Sequence, residues 1–298
     1  MDRYSSYFID NKALFGSSPS QEIVNYLESI GVKYFLDLTC EYEKNIDVYK
    51  TKFRKLRYPI EDRKIPTDVV SFSSMILKVC KLIKNLQNDD KIYVHCKGGH
   101  GRSGVVVACI LCVYLKIPAE DALELTNQYH KNRHTMREKW RIIGSPQTHQ
   151  QKEFVRNLFE TLFLNSSSDF FNYSPHSIYI KSLGLFQNSE SAYQAYKNPN
   201  DLKYILSQVN ELNPINAKIL GKSTQLRSDW ESVRLNIMFF ILKYKFYQHP
   251  ELKEKIMKTG LRPIVMCSKK KTFWMNMEHN IFGKLLQKIR NNYLLAIN

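Results

Sequence analysis

KIYVHCKGGHGRSGVVVACILCVYL, residues 91–115, decides the reading of this chain: a short apolar strand, a glycine loop and an apolar helix follow one another without interruption. Lys91 to His95 is β-branched or aromatic between charges, the mark of a strand buried on both faces, and it ends at Cys96. Arg102 follows six positions later, with Gly98, Gly99 and Gly101 between, and Val105 to Leu115 continues as a helix. Such a turn aims successive backbone N–H groups, together with the positive end of the helix, at one small volume that suits a tetrahedral dianion. Glycine is required because converging amides need backbone conformations that a Cβ resists. The same positive field favours thiolate over thiol at Cys96. The planar fork of Arg102 can hold two phosphoryl oxygens at once. Lys97, Gly98, Gly99, His100, Gly101 and Arg102 are therefore the expected phosphate-binding residues. Cys96 is the expected nucleophile, attacking phosphorus in line to give a cysteinyl phosphate that water then cleaves.

Working outward, Val32 to Leu38 and Phe53 to Ile60 read as strands. Pro66 and Thr67 open a helix whose apolar positions recur from Phe72 to Leu86. Further helices are expected from Pro118 to about His130 and from Ser145, as N-cap, through Leu164. Strand, helix, strand, loop, helix is the grammar of an α/β fold with a central, mostly parallel sheet flanked by helices. The polar stretch NSSSD, residues 165–169, reads as a linker. The expected domains are residues 1–164 and 170–298. Within the first, YPIEDRKIP at 58–66 forms a surface loop with a carboxyl pair, Glu61 and Asp62, one of which would protonate the leaving oxygen. Ser103 is placed to donate a hydrogen bond to the sulfur, and Gln151 to orient the hydrolytic water.

The 298-residue chain carries 44 basic and 28 acidic side chains, a formal charge of +16 that favours acidic partners. The excess is uneven, since residues 168–298 hold 19 basic and 9 acidic side chains. The start MDRYSSYFID lacks the pattern of a secretory signal, and no apolar run approaches the roughly 20 residues that span a bilayer. A soluble, intracellular protein with no transmembrane segment is expected. Six thinly spread cysteines fit reduced thiols. Cys109 and Cys112 read as helix packing rather than a zinc pair, so no metal and no cofactor is expected.

HCKGGHGRSG resembles the HCx5R(S/T)G signature of cysteine-dependent protein phosphatases, and PIEDRKIP resembles their general-acid loop. The stretch NKALFGSSPSQEIVNYLESIGVKYFLDLT is similar to the opening of the compact dual-specificity and atypical tyrosine phosphatases, and SPQTHQQKEFV to their closing helix. The resemblance covers roughly residues 7–164. It implies Asp62 rather than Glu61 as the acid, and Gln151 as the water-orienting glutamine, with Gln147 and Gln150 close enough to compete. It implies a phosphorylated protein as partner, hydrolysed at phosphotyrosine and also at phosphoserine or phosphothreonine. Lys97 and His100 make the loop as basic as that of phosphoinositide phosphatases, so a lipid substrate stays open, as do an RNA 5′-phosphate and a purely phosphate-binding role.

From residue 170 the chain reads as mostly helical α+β, with apolar stripes such as Ile237, Phe240, Ile241 and Tyr244. Glu190 and Lys197, seven apart, share a face if that stretch is one helix. SPHSI, SESAYQAYK, RSDW, KYKF and NIFGKLL occur in an order that resembles the NADAR, or YbiA-like, family across roughly residues 170–292. The resemblance implies N-glycosidic cleavage of ribosyl compounds, ADP-ribose attached to bases or proteins among them. Glu190 and Lys197 would then line a site that Trp230, Trp274 and Asn280 shape. Met266, Lys271 and Met275 depart from the family pattern, removing two acids and a glycine. This points toward a ligand-binding module, while glycosidase chemistry stays open. Lys269, Lys270 and Lys271 beside Phe273 and Trp274 combine charge with stacking surface, a mix suited to a nucleotide or single-stranded nucleic acid.

Overall fold

A computed structural model describes residues 5–87, 89–267, 273–275 and 279–297. The chain divides into two compact units, residues 1–160 and 161–296.

The first unit runs β1 (Ser5–Ile9), β2 (Ala13–Ser17), α1 (Gln21–Ser29), β3 (Val32–Asp37), β4 (Arg54–Arg57), α2 (Val69–Lys84), β5 (Lys91–Cys96), α3 (Arg102–Leu115), α4 (Ala119–Lys131), α5 (Glu138–Ile143) and α6 (His149–Phe159). Its five-stranded sheet has the order β1-β2-β5-β3-β4. The joins β2/β5, β5/β3 and β3/β4 are parallel, and only the edge strand β1 is antiparallel. β5 is central and buried along its whole length, as its unbroken apolar run requires. Alternation along β5 sends Tyr93 and His95 to one face and Ile92, Val94 and Cys96 to the other. Tyr93 packs with Leu14, Val24, Leu27, Phe35 and Tyr49 beneath α1.

α3 is buried from Arg102 to Cys112, so it shows almost no polar face. Cys109 and Cys112 lie in that buried stretch, with burial pushing the Cys112 thiol up to about 12. Neither bears on the chemistry.

Several boundaries move from the sequence reading. The strand expected over 53–60 contracts to β4, because Tyr58 and Ile60 instead donate backbone hydrogen bonds to Asp37 O and Leu38 O as the chain turns into the acid loop. α2 starts at Val69, capped by Asp68, whose carboxylate accepts from Val70 N and Ser71 N. The last helix is capped by Thr148, not Ser145, since the Ser145 hydroxyl is used on His100 O at 2.6 Å. It ends at Phe159, not Leu164. β1, β2 and α5 are too short to have carried a periodic signal.

The second unit runs β6 (Leu162–Leu164), β7 (Ile178–Ile180), β8 (Gly184–Phe186), α7 (Ser189–Ala195), α8 (Leu202–Val209), α9 (Pro214–Ser223), α10 (Trp230–Gln248), α11 (Pro250–Lys258), β9 (Ile264–Met266) and α12 (Ile281–Leu295). It is mostly helical, with β6 paired to β9 and β7 to β8. Its core joins Ile178, Phe186, Ile241, Phe246, Phe282 and Leu286 among others. Lys245 is fully buried in α10, where its Nζ donates to Phe171 O at 2.8 Å and also reaches Asp169 O and Ser174 Oγ. It thereby fixes the turn that precedes β7. Among the described residues no helix is long and apolar enough to cross a membrane.

Candidate active site

Cys96 ends β5 and is 2% exposed; Arg102 begins α3 and is 1% exposed. Gly99 adopts φ +72°, and a Cβ there would come within 2.4 Å of the Gly16 carbonyl carbon, so the loop can lie against β2 only with glycine at this position. A Cβ on Gly101 would sit 2.9 Å from both polar atoms of the Gln151 amide, which places that glutamine, and not Gln147 or Gln150, against the loop. α3, like α4 and α5 and unlike α1, α2 and α6, has no side-chain N-cap. Its first N–H groups are thus left to the loop's anion-binding volume.

Arg102 is held at both terminal nitrogens and unpartnered at Nε. Nη1 and Nη2 bind Oε1 and Oε2 of Glu43, the second at 2.9 Å. Nη1 also donates to Ile60 O at 2.8 Å, and Nη2 to Asp62 Oδ1 at 2.9 Å. Nε is buried with no hydrogen-bond partner among the described residues. Nε is thus the guanidinium N–H left to a phosphoryl group, and the adjoining Nη2 hydrogen joins it only when Asp62 gives up its contact, while Glu43 holds the opposite edge. Burial works against the Glu43 charge, but Arg102 and the Cys40 N–H outweigh it and keep the carboxyl below its ordinary range. Glu43 was not singled out from sequence. In CEYEKNID it is one acid of several, and nothing in its spacing marks it.

Asp62 is the member of the carboxyl pair that touches Arg102; Glu61 lines a groove of about 920 Å³ with Tyr58, Ile65 and Tyr42. Ser103 is fully buried with Oγ 3.6 Å from Cys96 Sγ. Gln151 Nε2 donates to Lys64 O at 3.2 Å, and its Oε1 accepts from Thr148 N at 3.2 Å, so it joins the acid loop to the start of α6. Lys97 Nζ donates to Lys44 O at 2.7 Å. The His100 ring stacks on Trp140 at 4.5 Å and shares a 2.7 Å hydrogen bond with His130. Burial, and then Arg133, lower His100 to about 4 and His130 to about 3. His100 is therefore neutral near pH 7 and turned toward protein, leaving its backbone N–H as what it offers an anion. Arg133 supports the same loop by donating to Gly99 O at 2.8 Å.

His95 is fully buried, its Nε2 2.8 Å from the Tyr49 hydroxyl and its Nδ1 3.8 Å from Asp37. Burial dominates and lowers it to about 4. It orients the strand end and stays neutral.

In the second unit Glu190, Lys197, Trp230 and Trp274 line one cavity of about 200 Å³. α7 stops at Ala195, so Lys197 reaches the cavity from beyond the helix and not from a shared helical face. Glu190 is 4% exposed and accepts from Gln194 Nε2 at 2.6 Å and from Asn172 Nδ2; burial raises its carboxyl. Tyr193 packs between Trp230 at 5.1 Å and Trp274 at 5.5 Å. Asn280 is not among the lining residues. Its amide accepts from Met266 N at 3.1 Å and donates to Ile264 O at 2.6 Å, which fastens β9 to the start of α12. Met266 is a buried core residue, Met275 lines the cavity, and Lys269, Lys270 and Lys271 lie outside the described residues. No group of described His, Cys, Asp and Glu side chains could hold a metal ion.

A cysteine and an arginine facing each other across a glycine loop between a buried strand and an uncapped helix define a cysteine-dependent phosphatase domain of the dual-specificity kind, one of the phosphoric monoester hydrolases. The chain belongs to the family described as "Swiss Army Knife protein, DSP-PTPase phosphatase domain", which it matches over residues 3–155, and residues 153–293 match the NADAR domain. It is similar along nearly its whole length to "Putative tyrosine phosphatase 197R" of Invertebrate iridescent virus 6, at 32% identity over 95% of this chain and 90% of that protein. "Putative tyrosine phosphatase 067L" of Invertebrate iridescent virus 3 is 38% identical over 58% of this chain and 72% of its own. An N-glycosidase of Nostoc punctiforme is 33% identical over 41% of this chain and 82% of its own length.

Proposed function

We propose that the first unit hydrolyses phosphotyrosine in proteins, and phosphoserine or phosphothreonine as well, through a cysteinyl-phosphate intermediate. The observation that carries this reading is the buried, unpartnered Nε of Arg102 beside the glycine loop that begins at Cys96. In the first step the Cys96 sulfur forms a bond to phosphorus as the bond to the leaving oxygen breaks, and Asp62 gives that oxygen its proton. In the second, water attacks phosphorus, its proton passes to the Asp62 carboxylate, and sulfur leaves as thiolate with Ser103 donating to it. Gln151, seated between the loop and Lys64, orients that water. Loop amides and Arg102 stabilise the equatorial oxygens throughout. Lys97 and His100 are both engaged with protein groups, which supports a single phosphoryl group as the loop's target and favours phosphoprotein over a phosphoinositide or a 5′-triphosphorylated RNA.

The second unit binds a ribosyl N-glycoside such as ADP-ribose attached to a base. The buried Glu190 carboxyl at this cavity would offset positive charge developing at C1′, and the N-glycosidase relative supports cleavage as its reaction. The test for the first unit is turnover of p-nitrophenyl phosphate and a phosphotyrosine peptide by the native protein and Cys96→Ser, with an inositol phosphate and 5′-triphosphorylated RNA as comparison substrates. Native turnover, and its loss in Cys96→Ser with substrate capture retained, is expected. Activity surviving in Cys96→Ser removes the assignment.

A further inference from the structure

We propose that Arg133 and Ser145 are positioning residues of the phosphatase reaction, holding the peptide planes of the phosphate loop so that the N–H groups of His100 and Gly101 face the incoming phosphoryl group. The inference rests on the phosphatase reading above and names the side chains that set up its anion site. Arg133 was not singled out from sequence, and Ser145 was read there only as a helix cap.

In a trans peptide the C=O and the N–H point to opposite sides of the chain. Whatever holds a loop carbonyl therefore fixes where the N–H of the next residue points. Four loop carbonyls are held. Lys97 O accepts from Ser18 N at 3.1 Å, Gly99 O from Arg133 Nη1 at 2.8 Å, His100 O from Ser145 Oγ at 2.6 Å and Gly101 O from Val105 N at 3.0 Å. The N–H groups of Gly98, His100, Gly101 and Arg102 are turned the other way, and none of them donates to an acceptor among the described residues. Four such donors around one volume repel each other until an anion arrives, so the loop needs holding from outside.

The first and last of these ties join backbone to backbone. The middle two come from side chains 34 and 45 residues away in the chain, so they are the ones a substitution removes. The planes they hold adjoin Gly99 and Gly101, where the backbone turns most freely. A half-turn of either plane would put a carbonyl oxygen in place of an N–H and reverse the peptide dipole, changing attraction for phosphate into repulsion.

Both side chains are buried and packed into one orientation. The Arg133 guanidinium lies 4.3 Å over the Phe15 ring, and its Nη2 donates to Phe15 O at 3.1 Å. Ser145 N donates to Asn127 Oδ1 at 3.2 Å, and a Cβ on Gly104 would come within 2.2 Å of Ser145 Oγ. The last glycine of HCKGGHGRSG thus leaves room for the hydroxyl that reaches the loop.

The experiment is steady-state turnover of p-nitrophenyl phosphate, with tungstate as competitive inhibitor, by the full-length native protein, Ser145→Ala and Arg133→Met. Ser145→Ala removes one oxygen atom and leaves the His100 carbonyl without its donor. In each variant kcat/KM should fall, and the tungstate inhibition constant rise, about tenfold or more; outright removal of such a donor costs about 10²–10³ in kcat. A residue that served folding alone would lower the thermal midpoint and leave the tungstate affinity of the folded protein unchanged. Circular dichroism and a thermal melt show which variants are folded at the assay temperature, and if Arg133→Met is not, Ser145→Ala decides. Unchanged kcat/KM and tungstate inhibition in folded Ser145→Ala overturns the proposal, and the same result in folded Arg133→Met removes that residue from it. A native protein that neither turns over the aryl phosphate nor is inhibited by tungstate removes the phosphatase reading and the positioning with it, whereas native turnover with unaltered variants removes the positioning alone.

Discussion

Glu43 binds both terminal nitrogens of Arg102, and with Asp62 also on Nη2 this leaves Nε as the guanidinium N–H without a partner among the described residues. An arginine with several rotatable bonds is thereby held in one orientation before substrate arrives.

Glu43→Gln keeps an acceptor but loses the charge and one arm of the pair. The kcat/KM for aryl phosphate should fall by about 10²-fold, the scale expected when a catalytic group is displaced by about an ångström. Steady-state kinetics beside a thermal melt check this, and an unchanged kcat/KM would show that Arg102 does not depend on Glu43.

Asp62→Ala should lower kcat by about 10²–10⁴-fold on substrates with poor leaving groups. The loss should shrink as the leaving phenol becomes more acidic, because a good leaving group needs less proton transfer. Turnover across a series of substituted phenyl phosphates measures the trend, and a uniform loss would assign Asp62 to binding.

Gln151 serves two structures at once, the capping box of α6 and the contact with Gly101. Gln151→Glu retains a capping-box residue. It should keep the melting temperature within a few degrees yet slow breakdown of the phosphoenzyme. A burst of nitrophenol equal to the enzyme concentration, seen by stopped flow, is the expected sign.

Tyr49→Phe removes the hydroxyl that meets His95 Nε2 and leaves a buried imidazole nitrogen unsatisfied, a cost of about 1–3 kcal/mol. Urea denaturation measures it. The first unit should also lose stability in acid. His95 titrates at about 4 in the folded state against an ordinary 6.5, so between those values the unfolded chain binds the extra proton. Stability therefore rises with pH across that window and falls on acidification through it. For the fully buried His95 the full effect is about 3 kcal/mol. His100 and His130 act in the same direction. Urea midpoints at pH 7 and pH 5 read the sum, and His95→Asn should flatten the slope.

The sequence alone determined the strand, loop and helix around Cys96 and Arg102, because those elements are contiguous and their signals are local: a buried apolar run, glycines where amides must converge, and an apolar helix. It also placed Asp62, Ser103 and Gln151 beside that loop by resemblance. Only the tertiary structure brought in Glu43 and Tyr49, from the connection between β3 and β4, and Arg133, from just after α4, none of which carries a periodic mark. It also turned His100 from a cation into a neutral ring stacked on Trp140, and gave the Asn280 amide to the backbone of β9. Likewise it gathered Lys218, Lys222 and Arg234 from two helices around the cavity that Glu190 lines. The physical reason is that burial and pairing set what an ionisable side chain does, and both are properties of the packed chain rather than of its order.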